Sequence, residues 1–169
     1  MNPLRPLALA LAILTGSLAC AAKGPPPPSS PSPLAGNAAP TFQRDTLDGG
    51  QIDTAALSGK VWVVKFFAEY CEPCKRTLPA AQRLSERYRD VVFVGVSEDE
   101  RQEDAAALVR TYGLGFPVVL DRGNVLSGRF RVTELPIVFV VDPAGNVSWV
   151  GGPEQDENAL EKAIRAARG

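Results

Sequence analysis

The run Val61-Trp62-Val63-Val64-Lys65-Phe66-Phe67 constrains this chain more than any other stretch. All but Lys65 are β-branched or aromatic, and the apolar side chains occupy both parities of an extended strand. Such a strand must be covered on both faces, as the central strand of a sheet layered with helices is. Directly after it comes Cys71-Glu72-Pro73-Cys74. Leu78, Ala81, Leu84 and Tyr88 then recur at the spacing of one buried helical stripe.

The rest of the pattern extends this α/β reading. Thr41 to Ile52 is expected to form a short edge strand and a turn through Asp48-Gly49-Gly50. Val91 to Val96 reads as a second buried strand, and Arg101 to Tyr112 as a helix carrying Ala105, Leu108, Val109 and Tyr112. Phe116 to Leu120 is a short apolar run. Ile137 to Val141 and Asn146 to Val150 predict a hairpin turned at Asp142-Pro143-Ala144-Gly145. A closing helix opened by Pro153 and Glu154 places Leu160, Ala163, Ile164 and Ala167 on one face. The expected architecture is a central mixed sheet flanked by helices.

The dithiol carries the strongest chemical signal. Two cysteines three apart at a helix start can bring their sulfurs together, the first accessible and the second beneath it. Unpaired N–H groups at the helix end favour a thiolate on Cys71, below the free thiol value of ~8.5. Lys75 would add positive potential and Glu72 would oppose it. Pro73 suits an early helical position, where its missing N–H costs nothing. Pro79 is expected to kink the helix. A structural disulfide is the bland alternative, but so small a loop stabilises little through chain entropy.

Composition removes most competing chemistry. The 169 residues contain three cysteines and no histidine, so no Ser-His or Cys-His nucleophile, His-containing zinc site or CxxCH haem attachment can form. The redox pair needs no cofactor and no metal. With 18 Lys+Arg against 19 Asp+Glu, nothing points to a nucleic-acid partner.

The N-terminal residues read as export machinery rather than domain. Residues 1–19 combine Arg5 with an apolar run of thirteen residues, Leu7 to Ala19. At about 1.5 Å per residue that run falls short of the ~30 Å bilayer core, as a signal peptide does and a transmembrane helix does not. Ser17-Leu18-Ala19-Cys20 resembles the lipobox of bacterial lipoproteins, which implies lipidation at Cys20; Ser17 departs from the leucine preferred there. From Lys23 to Pro40, seven of eighteen residues are proline, the composition of an extended tether. The expected organisation is a signal peptide at 1–19, a lipid-anchored tether at 20–40 and a folded domain at 41–169. The location implied is extracytoplasmic, on the membrane.

Phe66-Phe67-Ala68-Glu69-Tyr70-Cys71-Glu72-Pro73-Cys74-Lys75-Arg76 resembles the active-site region of thioredoxin-like proteins, and most closely the exported, membrane-tethered ResA/TlpA-type thiol-disulfide oxidoreductases. Leu57-Ser58-Gly59-Lys60, the stretch Tyr112 to Asp121, and Val132 to Pro136 leading to Asp142-Pro143-Ala144-Gly145 extend the match over nearly all of 41–169. The resemblance implies a thioredoxin-like fold, Cys71 as attacking thiol and Cys74 as resolving thiol. It implies a cis peptide before Pro136, with the Leu135 backbone pairing with the partner's chain. It further implies a disulfide-containing exported substrate such as apocytochrome c, and a membrane thiol donor. Lys65, Tyr70, Glu72 and Pro73 complete the expected surroundings of the dithiol.

Three positions depart from the family pattern. Tyr70 replaces the usual tryptophan and Thr77 replaces a frequent glutamate. Lys65 stands where thioredoxins have a buried aspartate and the ResA/TlpA group commonly has asparagine. Its amine either favours a thiolate or snorkels out of the sheet. Glu69, Glu72 and Glu134 read as solvated surface. The competing functions are a disulfide-forming oxidase using the same atoms, a thiol peroxidase, and a tethered binding domain with a structural bridge. A peroxidase would want a threonine ahead of its cysteine, where this chain has Ala68-Glu69-Tyr70.

Overall fold

The computed structural model describes residues 32–169. The expected signal peptide, Cys20 and most of the tether lie outside the described residues. Among the described residues, seven strands and four α-helices follow in the order β1 (Gln43–Asp45), β2 (Gln51–Asp53), β3 (Trp62–Phe67), α1 (Glu72–Arg87), β4 (Val92–Ser97), α2 (Gln102–Tyr112), β5 (Val118–Leu120), α3 (Val125–Arg129), β6 (Ile137–Val141), β7 (Val147–Gly151) and α4 (Glu157–Arg168).

Strand β3 is central, as its double-sided apolar pattern requires. The main sheet runs β5-β4-β3-β6-β7, with β3, β4 and β5 parallel and β6 and β7 antiparallel to their neighbours. Alternation then sorts the side chains. Val63 and Phe67 join Cys74, Leu78, Leu84, Leu108, Leu160 and Ile164 in one core under α1, α2 and α4. Trp62, Val64 and Phe66 join Leu126 and Phe130 in the other, under α3 and the N-terminal segment. In that second core Phe130 lies 5.2 Å from Phe66 and 5.3 Å from Phe139 between ring centroids, at tilted angles favourable for aromatic packing.

Three expectations about the elements need correction. The stretch 41–52 is a hairpin, β1 paired antiparallel with β2 in its own two-stranded sheet, rather than an edge strand and a turn. The closing helix starts at Glu157 and not at Pro153, because the Asp156 carboxylate accepts from the Ala159 N–H and fixes the cap there. Helix α3 was not expected at all. Five residues are too few to show a period, and its N-terminus is made by a distant group, the buried Asp121 carboxylate, which accepts from Leu126 N and Ser127 N at 2.8 Å each.

The folded region also begins before residue 41. Gly36 N donates to Val147 O at 2.8 Å, Val147 N donates to Asn37 O at 2.8 Å, and Ala39 N donates to Gly145 O at 2.9 Å. Leu34, Ala35 and Ala39 pack on the second core. The prolines concentrate before residue 34, so Leu34 to Ala39 keep their N–H groups and can cover part of the β7 edge. Helix α1 runs on through Pro79 as one element.

Gly95 sits opposite Lys65 in the β3–β4 ladder. A Cβ there would come within 2.9 Å of both Phe67 Cε1 and Val118 Cγ2. Gly95→Ala is therefore expected to destabilise the fold by ~1–3 kcal/mol through overpacking, read as a lower urea midpoint at unchanged slope. An unchanged midpoint would show that the phenyl ring yields without cost.

Candidate active site

The C-terminal ends of β3 and β4 deliver the site, the usual place for ligands in open α/β sheets. Beyond Phe67 the chain turns through Ala68-Glu69-Tyr70, and that turn is anchored from β4. The buried Asp99 carboxylate accepts from Glu69 N at 2.9 Å and from Ser97 Oγ at 2.7 Å. Cys71 then caps α1, and its Sγ accepts from Cys74 N at 3.2 Å.

Cys71 and Cys74 form a disulfide, with Cα atoms 5.2 Å apart. Cys71 retains 7% exposure and Cys74 none, so a partner's sulfur has access to the first and not the second. The helix end and the Cys74 N–H aim positive potential at Cys71 Sγ. Lys75 adds little to it. Its ammonium bridges Glu69 at 3.0 Å and Glu72 at 2.8 Å, and the hydrogen bond from Lys75 in turn holds the Glu72 carboxyl below its ordinary range. The three groups together are net negative.

A groove of about 690 Å³ opens beside Cys71, lined among others by Tyr70, Pro73, Glu98, Ser127, Glu134 and Leu135. The Leu135–Pro136 peptide is cis, and Pro136 is buried immediately before β6. Tyr70 is 69% exposed, a large aromatic surface at the rim of the groove. Burial, reinforced by Asp121 and Asp99, raises the Glu98 carboxyl above its ordinary range, while a hydrogen bond from Ser127 works the other way.

A family model described as the AhpC/TSA family matches residues 35–150. The chain belongs to that family. The thiol-disulfide oxidoreductase ResA of Bacillus thuringiensis (strain Al Hakam) is 32% identical over 132 residues, 77% of this chain and 76% of its own length. ResA of Bacillus subtilis (strain 168) is 32% identical over 114 residues, 66% of this chain and 64% of its own. Among solved structures, a thioredoxin-family thiol:disulfide interchange protein from Chlorobium tepidum TLS matches with TM-score 0.70 at 30% identity, covering 78% of this chain and 96% of that one. A secreted Mycobacterium tuberculosis disulfide oxidoreductase homologous to E. coli DsbE matches with TM-score 0.69 at 25% identity, covering 74% and 95%. The thioredoxin-like fold expected from the sequence is borne out, and the chain is a thiol-disulfide oxidoreductase.

The structure brings Cys71, Cys74, Tyr70, Glu72, Pro73, Leu135 and Pro136 together at one end of the sheet. Glu72 and Glu134 are exposed there, as read from the sequence. Sequence reasoning passed over Glu98, Asp99 and Asp121. The signal for two of them was present: Ser97-Glu98-Asp99-Glu100 is a polar run at the carboxyl end of a buried strand.

Lys65 does not snorkel. It is 2% exposed, and its Nζ has no hydrogen-bond partner among the described residues. Burial alone pushes its amine down from 10.5 to about 7. Between those values the unfolded chain holds a proton that the native protein does not, so this group makes stability rise with pH from about 7 toward 10.5. Below about 7 the full cost of the buried charge is present. Lys65→Met is expected to stabilise the oxidised protein at pH 6 by on the order of a few kcal/mol. It should also flatten the rise above neutrality in denaturant titrations across pH. Parallel stability–pH curves for the two proteins would refute the assignment.

Proposed function

We propose that the chain reduces disulfides of extracytoplasmic proteins, with Cys71 attacking and Cys74 resolving. The observation that carries this reading is the one-sided exposure of the pair: Cys71 opens onto the groove beside cis-Pro136, while Cys74 is sealed beneath it. In the cycle, Cys71 thiolate attacks a partner disulfide and forms a mixed disulfide. Cys74 then displaces the partner as a thiol and leaves the 71–74 bridge. Leu135, at the groove wall, offers its backbone to an extended partner segment, and Tyr70, Glu72, Pro73 and Glu134 frame the entrance.

The ResA relatives and the secreted DsbE homologue support an exported setting. In this reading Cys20 carries the lipid, a membrane thiol donor restores the dithiol, and the substrate is apocytochrome c or another exported dithiol protein. The Pro-rich residues before Leu34 provide the reach between membrane and domain.

Cys74→Ser tests the reading in the native envelope. The variant is expected to accumulate partners as mixed disulfides through Cys71, released by added thiol and absent from a Cys71→Ser control. A partner retained without Cys71, with nothing trapped by Cys74→Ser, would make this a binding domain. Direction is set by potential. A dithiol found mostly reduced in vivo, with a midpoint well below the compartment's poise, supports the reductase; an oxidising midpoint would make it an oxidase. Peroxide turnover faster than disulfide reduction would make it a peroxidase.

A further inference from the structure

Among the described residues Lys65 is the one buried cation, in the core beneath α1, and the proposed roles of Cys71 and Cys74 do not use it. Its direction follows from the ladder. Strand β3 is in regular register with β4 and β6 through Lys65, which pairs with Gly95 on one side and Val138 on the other. Lys65 therefore shares a face with Val63 and Phe67, and these belong to the core that contains Cys74, Leu78 and Ala81. Across from it, the missing side chain of Gly95 leaves that space to Phe67, Phe116 and Val118.

Packing does not account for a lysine there. An unpaired amine in an apolar layer costs stability that a methionine of similar length would not. The titratable buried members of this core are Cys71, Cys74 and Tyr88, with Tyr112 partly buried against it from α2; the Tyr88 hydroxyl is engaged, donating to Glu161 and accepting from Arg165. The facing residues of β4 and β6 are Phe93, Val138 and Val140, none of them ionisable. On α4, Glu157 pairs with Arg83, Glu161 with both Arg87 and Arg165, and Arg168 with Asp90. On α1, Glu72 and Lys75 are occupied with each other and Glu69. On α2, Asp104 pairs with Arg101. The depression of the Lys65 amine has burial as its sole cause, with no neighbouring charge contributing. Cys74 is sealed from solvent, so its thiol needs an internal group to take its proton.

We infer that Lys65 is the proton acceptor for Cys74, the general base that readies the buried thiol for the resolving step. This rests on the dithiol chemistry proposed above but not on its direction or substrate. In the mixed disulfide, the Cys74 thiol passes its proton to the neutral Lys65 amine. The Cys74 thiolate attacks Cys71 Sγ; the 71–74 S–S bond forms and the bond from Cys71 to the partner breaks. The electron pair leaves on the partner's sulfur, which takes a proton from water. The partner sulfur is reduced and the dithiol is oxidised by two electrons over the cycle. Facing a neutral disulfide again, the Lys65 ammonium gives up its proton after turnover, as burial demands, to water admitted by local opening of the site.

The test uses the full chain with Cys20→Ser, so that Cys71 and Cys74 are its two thiols, reduced, in single turnover with 5,5′-dithiobis(2-nitrobenzoate). Attack by Cys71 releases the first thionitrobenzoate, and resolution by Cys74 releases the second. Lys65→Met is expected to slow the second release at pH 7 by at least about tenfold and leave the first within about twofold. The native second phase should level off near neutrality, and the variant's should keep rising into the alkaline range. Equal second-phase rates and pH profiles in the two proteins would overturn the inference. The native protein supplies an independent reading should the variant fail to fold: a second phase that climbs through ~8.5 like a free thiol overturns it equally. A protein that passes this test but traps no partner through Cys74→Ser would lose the proposed function and keep the Lys65 role.

Discussion

Strand β3 is clamped on four sides: hydrogen-bonded to β4 and β6 along its edges, and covered by an apolar layer on each face. The rest of the molecule is arranged around that clamp. Because β3 cannot slide without carrying Val63 and Phe67 out of one core and Val64 and Phe66 out of the other, its end is a fixed point. The turn from Phe67 to Cys71 starts there, and the Asp99 carboxylate on the neighbouring strand ties it down at Glu69 N. Helix α1, capped by Cys71, then buries Cys74, Leu78, Ala81 and Leu84 against the strand that launched it. A rigid sheet thus sets the exposure of one sulfur and the burial of the next.

Electrostatics at the site come more from backbone and burial than from side-chain charge. Lys75 looks like a thiolate-stabilising cation in the sequence, but its charge is taken up by Glu69 and Glu72. The helix end and the Cys74 N–H remain as the local positive potential at Cys71. The groove beside it carries Glu72, Glu98 and Glu134, an acidic wall against which a partner segment must sit. Lys65 is the opposite case: an amine with no hydrogen-bond partner among the described residues, which burial pushes down to about 7.

Much of this was legible beforehand, for identifiable reasons. The double parity of Val61 to Phe67 announced a covered central strand, and the stripe of Leu78, Ala81 and Leu84 announced the helix packed on it. The hairpin β6–β7 followed from its turn residues, with Gly145 at φ +84 where a side chain would be strained. Local signals failed where a distant group defines the element. Helix α3 depends on Asp121, and the short segment from Leu34 to Ala39 depends on the β7 edge that it covers.

The sequence by itself determined the chemistry: three cysteines, no histidine, and two of those cysteines spaced to meet at a helix start after a buried strand. Those are matters of composition and period, which a linear chain carries openly. Only the tertiary structure decided the environment of that chemistry. It seated Lys65 unpaired in the core, neutralised Lys75, gathered Glu98 and Asp99 beside the turn, and set cis-Pro136 next to the groove. Burial, pairing and approach depend on which segments fold against one another, and a one-dimensional pattern does not contain those distances.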